Sequence, residues 1–532
     1  MVSTCIGIYY ALAGGRQRTT KEFLLADRNM NPVPVALSLV ASFISAITVL
    51  GTPAEVYRHN TMFWVICFAY IATGVITSRT FMTIFYEYEI TSTNEYLERR
   101  FNKNVRYVGT FLFFLQMVLY LGIVIYAPAL ALNAVTGLSL WGSVLTIGVV
   151  CTFYTTIGGL KAVLWTDVFQ VCIMVAGLLA VIIQGSIKLG GLREAWKIAE
   201  SRDRIDFWNF SFDPTVRHTF WALSIGQTFT WCSSYGVNQA QVQRYLSCGK
   251  KSTAQLALGM AIVGMIIVVS LACLAGVVTF AFYADCDPYT MERITAVDQI
   301  VPYFVMELFG DRPGLPGLFT SCVFSAALST VSSGLNSLAA ITGEDIIKSI
   351  WPDMSEKRYT IAIKLVGCRF WYLNRSGHIH LARCRGKHLP PDSNPPGFST
   401  AMCDLNATTA PQFLTTTSPV DPSDAYPPIA SFYALSYCWY SGLSWCVCVL
   451  FGLLISFATG HNKPSEADVS LHRPIVDSFL CCLPPGCTDI CRCGVEQNPD
   501  IKEKPDGFYV HEESVDHNMK SSNDSEDKST QM

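Results

Sequence analysis

Charge is what this sequence has least of. Asp, Glu, Lys and Arg supply 15% of its 532 residues, where an ordinary soluble chain carries about a quarter. So few charges cannot give several domains a polar surface, and a soluble multidomain protein is excluded. No basic stretch stands out against the formal net charge of -3, which removes nucleic acid from the partners to be considered. Catalytic signatures are missing as well: the chain holds no G-x-S-x-G, no P-loop and no H-E-x-x-H, so nothing points to an enzyme. The 20 cysteines are scattered through apolar runs instead of forming a framework, and most read as small buried hydrophobes.

What is present is 51% hydrophobic residues, gathered in long runs between short charged clusters. That is the pattern of a polytopic membrane protein. A span needs ~20 apolar residues to cross ~30 Å of hydrocarbon. The runs give nine candidate spans, at 33–52, 62–86, 107–135, 139–158, 162–187, 218–236, 254–283, 316–342 and 432–459. A shorter run at 1–14 has neither a basic leader nor a cleavage site, and reads as the end of a truncated span. Loops 15–32, 87–106 and 237–253 are rich in Lys and Arg and read as cytoplasmic, whereas loop 53–61 carries only Arg58 and reads as external. Loop 188–217 is then external too, and the sequon Asn209-Phe-Ser suits that side. Arg79, inside the second span, is costly there unless paired or near an interface.

The crossings fail to add up beyond 316–342. Lys348, Lys357 and Arg358 belong in the cytoplasm, while the Pro-, Ser- and Thr-rich stretch 389–431, with its sequon Asn406-Ala-Thr, reads as extracellular. An odd number of crossings must lie between them, unless Asn406 is inside and the acidic tail outside. The intervening 367–391 (G-C-R-F-W-Y-L-N-R-S-G-H-I-H-L-A-R-C-R-G-K-H-L-P-P) is too polar to supply one, so membrane helices are expected to be missing there. Its Cys368, His378, His380 and Cys384 fit no zinc spacing. Cys286 and Cys403 both fall on the external side and are candidates to pair. Past 459 the chain is polar and acidic, and is expected to be disordered in the cytoplasm. There the cysteines of 481–493 are candidates for palmitoylation, and the terminal S-T-Q-M resembles a PDZ-binding end through Thr530 and Met532.

Two of the apolar runs carry many hydroxyls and no charge. The first, S-L-V-A-S-F-I-S-A-I-T-V-L-G-T-P (38–53), holds Ser38, Ser42, Ser45, Thr48 and Thr52; the second, 324–342, holds Ser325, Ser329, Ser332, Ser333 and Asn336. Facing helices can pool such oxygens around a hard cation such as sodium and still release it. Small hydroxyl residues also serve close helix packing, and composition leaves both readings open.

Longer motifs go further: I-T-S-T-N-E-Y-L-E-R-R-F-N-K (90–103), G-G-L-K-A-V-L-W-T-D-V-F-Q (158–170), Y-G-V-N-Q-A-Q-V-Q-R-Y (235–245) and P-G-L-P-G-L-F (313–319). On these the chain resembles the sodium/solute symporter family, over nearly all of 1–346 and again over roughly 389–465. The resemblance implies an all-α polytopic membrane protein with an inverted-repeat core of five plus five helices, of the LeuT type. Run 33–52 would be the first core helix and 316–342 the eighth. The second repeat is incomplete here, because the family has three further helices before the glycosylated loop. The implied division is a truncated first membrane helix at 1–14, core helices one to eight over 33–346, an aberrant polar segment at 347–391, an extracellular loop at 392–431, the last membrane helix at 432–459 and a cytoplasmic tail at 460–532.

The same resemblance implies a site. Sodium, the coupling ion, would take the carbonyls of Ala41, Ile44 and Ala326 and the hydroxyls of Ser329 and Thr330, with Asp167 on its exit path; a helix-capping or loop carboxylate is the other reading of Asp167. No cofactor and no further metal is implied. Thr48, Trp231 and A-D-C-D-P (284–288) resemble the monocarboxylate branch of the family. L-A-D-R-N-M (25–30) and N-Q-A-Q-V-Q-R-Y-L-S (238–247) resemble its multivitamin branch and are expected to lie away from the cavity. The implied function is sodium-coupled import of small monocarboxylates (lactate, pyruvate, short-chain fatty acids, nicotinate) by alternating access, at the plasma membrane and on the apical face of epithelia. Biotin and pantothenate transport is the alternative, and a truncated, non-transporting membrane protein is the alternative of another class. Ser45, Thr48, Gln116, Tyr120 and Trp231 would line the substrate cavity, although Gln116 and Tyr120 also suit interhelical contacts. A broken helix end and the bound sodium would supply positive potential without a buried Arg. Asn209 and Asn406 would carry glycans.

Overall fold

The structure, a computed structural model, describes residues 2–13, 19–88, 90–136, 139–294, 296–310, 314–356, 358–366, 398–400, 403, 435–459, 502–503 and 509–510. Asn406, the polar stretch 367–391, the tail cysteines and the terminal S-T-Q-M lie outside the described residues. The chain divides into two units, 1–463 and 464–532. In the second, Lys502 pairs with Val510 and Glu503 with Tyr509 in a short antiparallel ladder. In the first, every regular element among the described residues is helical.

The first core helix begins where Pro32 sits at an N-terminal position and Asn31 Oδ1 accepts from Val33 N at 3.1 Å. It runs to Phe43, and Ile44 then leaves helical geometry (φ -78°, ψ 84°). Ser45 is extended (φ -89°, ψ 178°), and its hydroxyl accepts from Ile47 N at 3.2 Å to start a second half, Ala46–Arg58. A serine that can cap a new helix competes with continuation of the old one. The two halves meet at 60°, so the expected span 33–52 is a broken helix that continues to Arg58.

The second span covers Thr61–Glu87. Arg79 is exposed at the C-terminal end of Ile66–Arg79, just before a second segment, Phe81–Glu87. The third span is Lys103–Thr136. The helix Leu140–Lys188 has 49 residues and, if straight, would reach about 74 Å. It divides at Gly159 (φ 59°, ψ -162°), a conformation essentially closed to residues with a Cβ. The two expected spans flank that break.

The sixth span, 220–237, passes through π turns at Ala222–Gly226 and Ser233–Val237. Asn238 then turns the chain (φ -70°, ψ 126°), and its side chain accepts from Ala240 N at 2.9 Å to start the helix Gln239–Leu246. All eight residues of that helix are buried. Most of the expected loop 237–253 is thus a buried helix and not irregular chain. The sixth span, like the first, is interrupted by an extended residue that caps a second helix.

Lys251–Phe282 forms the seventh span, and Leu315–Ile350 the eighth, which a π turn at Thr342–Ile347 carries past the expected end at 342. The eighth span is 72% buried over its apolar window, against 6% for the last span, Tyr437–Ala458. The eighth is therefore central and the last peripheral. Six helices among the described residues are long and apolar enough to cross a membrane, or seven with the bent first pair counted as one. Outside the helices, Cys286 and Cys403 form a disulfide, and Asp287 N donates to Ser399 O at 3.0 Å.

Candidate functional site

The break in the first helix lies against the middle of the eighth. Ser45 is extended, and the Ala41 carbonyl one turn before it accepts from Ser329 Oγ at 2.8 Å. Ser329 Oγ also lies 3.0 Å from the Ala326 carbonyl, and Thr330 Oγ1 donates to that carbonyl at 3.2 Å. Ala41, Ala326, Ser329 and Thr330 are thus in one place, and Ile44 occupies the break itself. All five are almost fully buried, at 2% exposure or less. Uncharged carbonyls and hydroxyls are hard donors suited to an alkali cation. Among the described residues no group of three His, Cys, Asp or Glu is arranged to hold a metal.

One turn further in, the hydroxyls surround a buried ion pair. Arg244 is 1% exposed and Asp167 0% exposed, and Nη2 lies 3.2 Å from Asp167 Oδ2. Arg244 Nε donates to Ser38 Oγ at 2.7 Å, Nη2 to Ser333 Oγ at 2.5 Å, and Nη1 to the Ala240 carbonyl. Ser38 Oγ in turn donates to Asp167. Ser42 Oγ donates to the Ser38 carbonyl at 2.6 Å, and Ser333 Oγ to the Ser329 carbonyl at 2.6 Å. One guanidinium therefore ties together the first, fifth, sixth and eighth helices, directly beside the ring of oxygens at Ser329. Asp167 is neither a helix cap nor a loop carboxylate.

The expected substrate residues are only partly brought together. Ser45 is buried, with Tyr120 of the third helix beside it. Tyr120 stacks on Phe43 at the break (ring centroids 6.1 Å), Phe43 meets Tyr235 at 5.9 Å, Tyr235 meets Trp231 at 5.9 Å, and Trp231 meets Tyr70 edge-on at 4.8 Å. An aromatic wall thus runs from the third helix across the break to the sixth and second. Trp231 Nε1 is buried in it without a hydrogen-bond partner among the described residues. Thr48 is half-buried one turn beyond Ser45. Gln116 does not join the group; its side chain is exposed among Leu112, Leu115 and Leu119. Asn209 is half-buried between the helix Leu192–Ser201 and the sixth span, where its side chain accepts from Ser211 N at 3.0 Å.

Sequence reading missed Arg244 as part of this site, since its charge marked it for a loop. It also placed 238–247 away from the cavity, whereas that segment packs against the first and eighth helices. The available signal was Asn238 followed by Q-A-Q-V-Q-R, a good N-cap before a helix-forming run.

Known proteins resemble this chain in sequence and in fold. Residues 23–367 match the model of the sodium:solute symporter family. A sodium-coupled monocarboxylate transporter 1 from Xenopus laevis is 43% identical over 525 residues, covering 87% of this chain and 84% of that protein. A sodium-dependent multivitamin transporter from Oryctolagus cuniculus is 39% identical over 537 residues, covering 91% and 84%. Among solved structures, the substrate-bound outward-open state of a Na+-coupled sialic acid symporter matches in fold with a TM-score of 0.65 at 24% identity, covering 72% of this chain and 80% of that one. This multi-pass membrane chain, with its broken first helix set against eighth-helix hydroxyls, belongs to the sodium:solute symporter family, for which sodium is the coupling ion.

Proposed function

We propose that the chain imports small monocarboxylates, of the lactate, pyruvate, short-chain fatty acid and nicotinate kind, together with sodium. The observation that carries this reading is the junction of Ala41 with Ser329, at 2.8 Å, beside Ala326 and Thr330. The carbonyls of Ala41, Ile44 and Ala326 and the hydroxyls of Ser329 and Thr330 are the proposed ligands. Sodium held there joins the first and eighth helices and steadies the break, where Ser45, Thr48, Tyr120 and Trp231 receive the substrate. Each ligand then raises the affinity of the other. Arg244 is neutralised by Asp167, so the substrate carboxylate takes its positive partner from sodium and from the exposed end of a half-helix. Asp167, one turn from the proposed sodium ligands, is the proposed first stop on the ion's way out. The membrane potential adds ~2.3 kcal/mol per positive charge per 100 mV.

A monocarboxylate is favoured by the 43% identity to the Xenopus protein against 39% to the multivitamin transporter over similar lengths. The vitamin reading is kept because N-Q-A-Q-V-Q-R, shared with that branch, is part of the buried second half of the sixth helix. The non-transporting reading is kept because the alignment with the Xenopus protein extends over 525 residues yet takes in 87% of this chain, as a block with no counterpart here would leave. The incomplete second repeat, glycans on Asn209 and Asn406, a PDZ partner at the C-terminus and an apical location are further parts of the proposal.

The test is uptake of radiolabelled butyrate and biotin by cells expressing the full chain, in sodium and in choline. Sodium-dependent butyrate uptake supports the proposal, and sodium-dependent biotin uptake alone supports the vitamin reading. Surface-expressed protein that accumulates neither would make this chain a non-transporting form.

A further inference from the structure

A second cluster, at the outer end of the first helix, is built around a carboxylate. Glu55, in the last turn of Ala46–Arg58, accepts from Arg217 at both oxygens: Nε to Oε1 at 2.7 Å and Nη2 to Oε2 at 3.0 Å. Two parallel bonds of this kind are the strongest and most selective way for a guanidinium to hold a carboxylate. His218 Nε2 lies 3.5 Å from the same Oε1, and His59 Nε2 lies 3.7 Å from it. Three nitrogen-bearing side chains therefore converge on one anionic group.

The receiving side is held in place independently of Glu55. The Arg217 guanidinium lies 5.3 Å from the Tyr437 ring centroid, and its carbonyl accepts from Ser436 Oγ at 2.6 Å. His218 Nε2 bonds the Tyr437 hydroxyl at 2.8 Å. The pair is also reachable, since the Arg217 side chain is 31% and that of Glu55 18% exposed. Spacing then connects the cluster to the proposed substrate position: Thr48, Thr52 and Glu55 stand at i, i+4 and i+7 and share one face of the half-helix.

We propose that Arg217, with His218 and His59 beside it, is an outer receiving site for the substrate carboxylate, and that Glu55 is a tethered stand-in which a monocarboxylate displaces before passing along the same face to Thr48. The inference rests on the monocarboxylate reading of the central cavity. Its chemistry is that of exchange: an aliphatic carboxylate offers Arg217 the same two oxygens that Glu55 offers. Competition from a tethered carboxylate keeps the site weak, as an entry step requires, because a tightly held substrate would not move on.

The test is equilibrium binding of radiolabelled butyrate to the purified full chain in nanodiscs. Glu55→Gln frees the fork, and is expected to tighten butyrate binding at least threefold while leaving competition by uncharged butyramide unchanged. Adding Arg217→Gln to it should cancel the gain. Unchanged or weaker butyrate binding by a monodisperse Glu55→Gln protein overturns the inference. If that variant does not fold, Arg217→Gln alone carries the test: the outer site then has no guanidinium for butyrate, and binding should weaken at least threefold, with no change counting against the proposal. Sodium-dependent uptake by the unaltered chain tests the monocarboxylate reading separately, so failure of that reading and failure of the outer site are told apart.

Discussion

Replacing Asp167 by Asn removes one negative charge from a site where neither partner reaches solvent. Asp167 is 0% and Arg244 1% exposed, at 3.2 Å. The guanidinium would keep Ser38 at 2.7 Å, Ser333 at 2.5 Å and the Ala240 carbonyl, all neutral acceptors. Breaking a buried pair costs about 3–5 kcal/mol because the surviving charge has nowhere to go. Three retained bonds, each contributing about 1 kcal/mol net, hold Asp167→Asn near the lower figure, about 3 kcal/mol. Asp167→Ala, which also deprives Ser38 of its acceptor, should approach about 5 kcal/mol. Arg244→Gln strands the carboxylate, whose Oδ1 already has no partner among the described residues, and should cost as much as Asp167→Asn. The double variant Asp167→Asn/Arg244→Gln contains no buried charge and should cost about 2–3 kcal/mol less than the sum of the singles. The assay is denaturant titration of the purified protein in mixed micelles, with sodium-dependent uptake measured alongside. Single costs below about 1 kcal/mol, or additivity within about 0.5 kcal/mol, would refute the claim that this pair locks the four helices together.

Other expectations follow from single residues. Ser329→Ala removes one of five proposed sodium ligands and should raise the sodium half-saturation of uptake about tenfold, equivalent to about 1.4 kcal/mol; an unchanged value would take Ser329 out of the site. Gly159→Ala forces a Cβ into φ 59°, ψ -162° and should destabilise the fold by about 1–3 kcal/mol, whereas the same change at the exposed-helix Gly452, which has open space around it, should be close to neutral by the same titration. Burial depresses His218 to about 4 from its ordinary 6.5, so the fold favours its neutral form. Stability contributed by this group is complete above about pH 6.5 and is lost as pH falls from there towards 4. His218→Gln should flatten that acid limb in a thermal melt; a limb of unchanged steepness would assign it to other groups.

Much of this protein was legible in the residues because a bilayer reads them one at a time. Apolar length fixed where Lys251–Phe282 and Leu315–Ile341 cross, and Ser45 and Asn238 carry the capping chemistry that breaks the first and sixth helices. The proposed sodium ligands Ala41, Ser329 and Thr330 could be named from motifs, and their oxygens do lie together. Arg244 was misplaced for the opposite reason. A guanidinium in sequence is a reason to expect water, and only a carboxylate 77 residues away on another helix makes its burial affordable. Gln116 shows the same limit: its residue type suits a cavity wall, but the rotation of Lys103–Thr136 turns it outward.

Sequence alone therefore pointed to the class, the apolar spans and the chemical kind of the proposed ion site, all consequences of local composition and spacing. Tertiary structure alone decided which polar groups meet: Asp167 with Arg244, Glu55 with Arg217, Tyr120 with the break at Phe43. Pairing energies depend on distance and desolvation, and neither exists until helices far apart in the chain have packed.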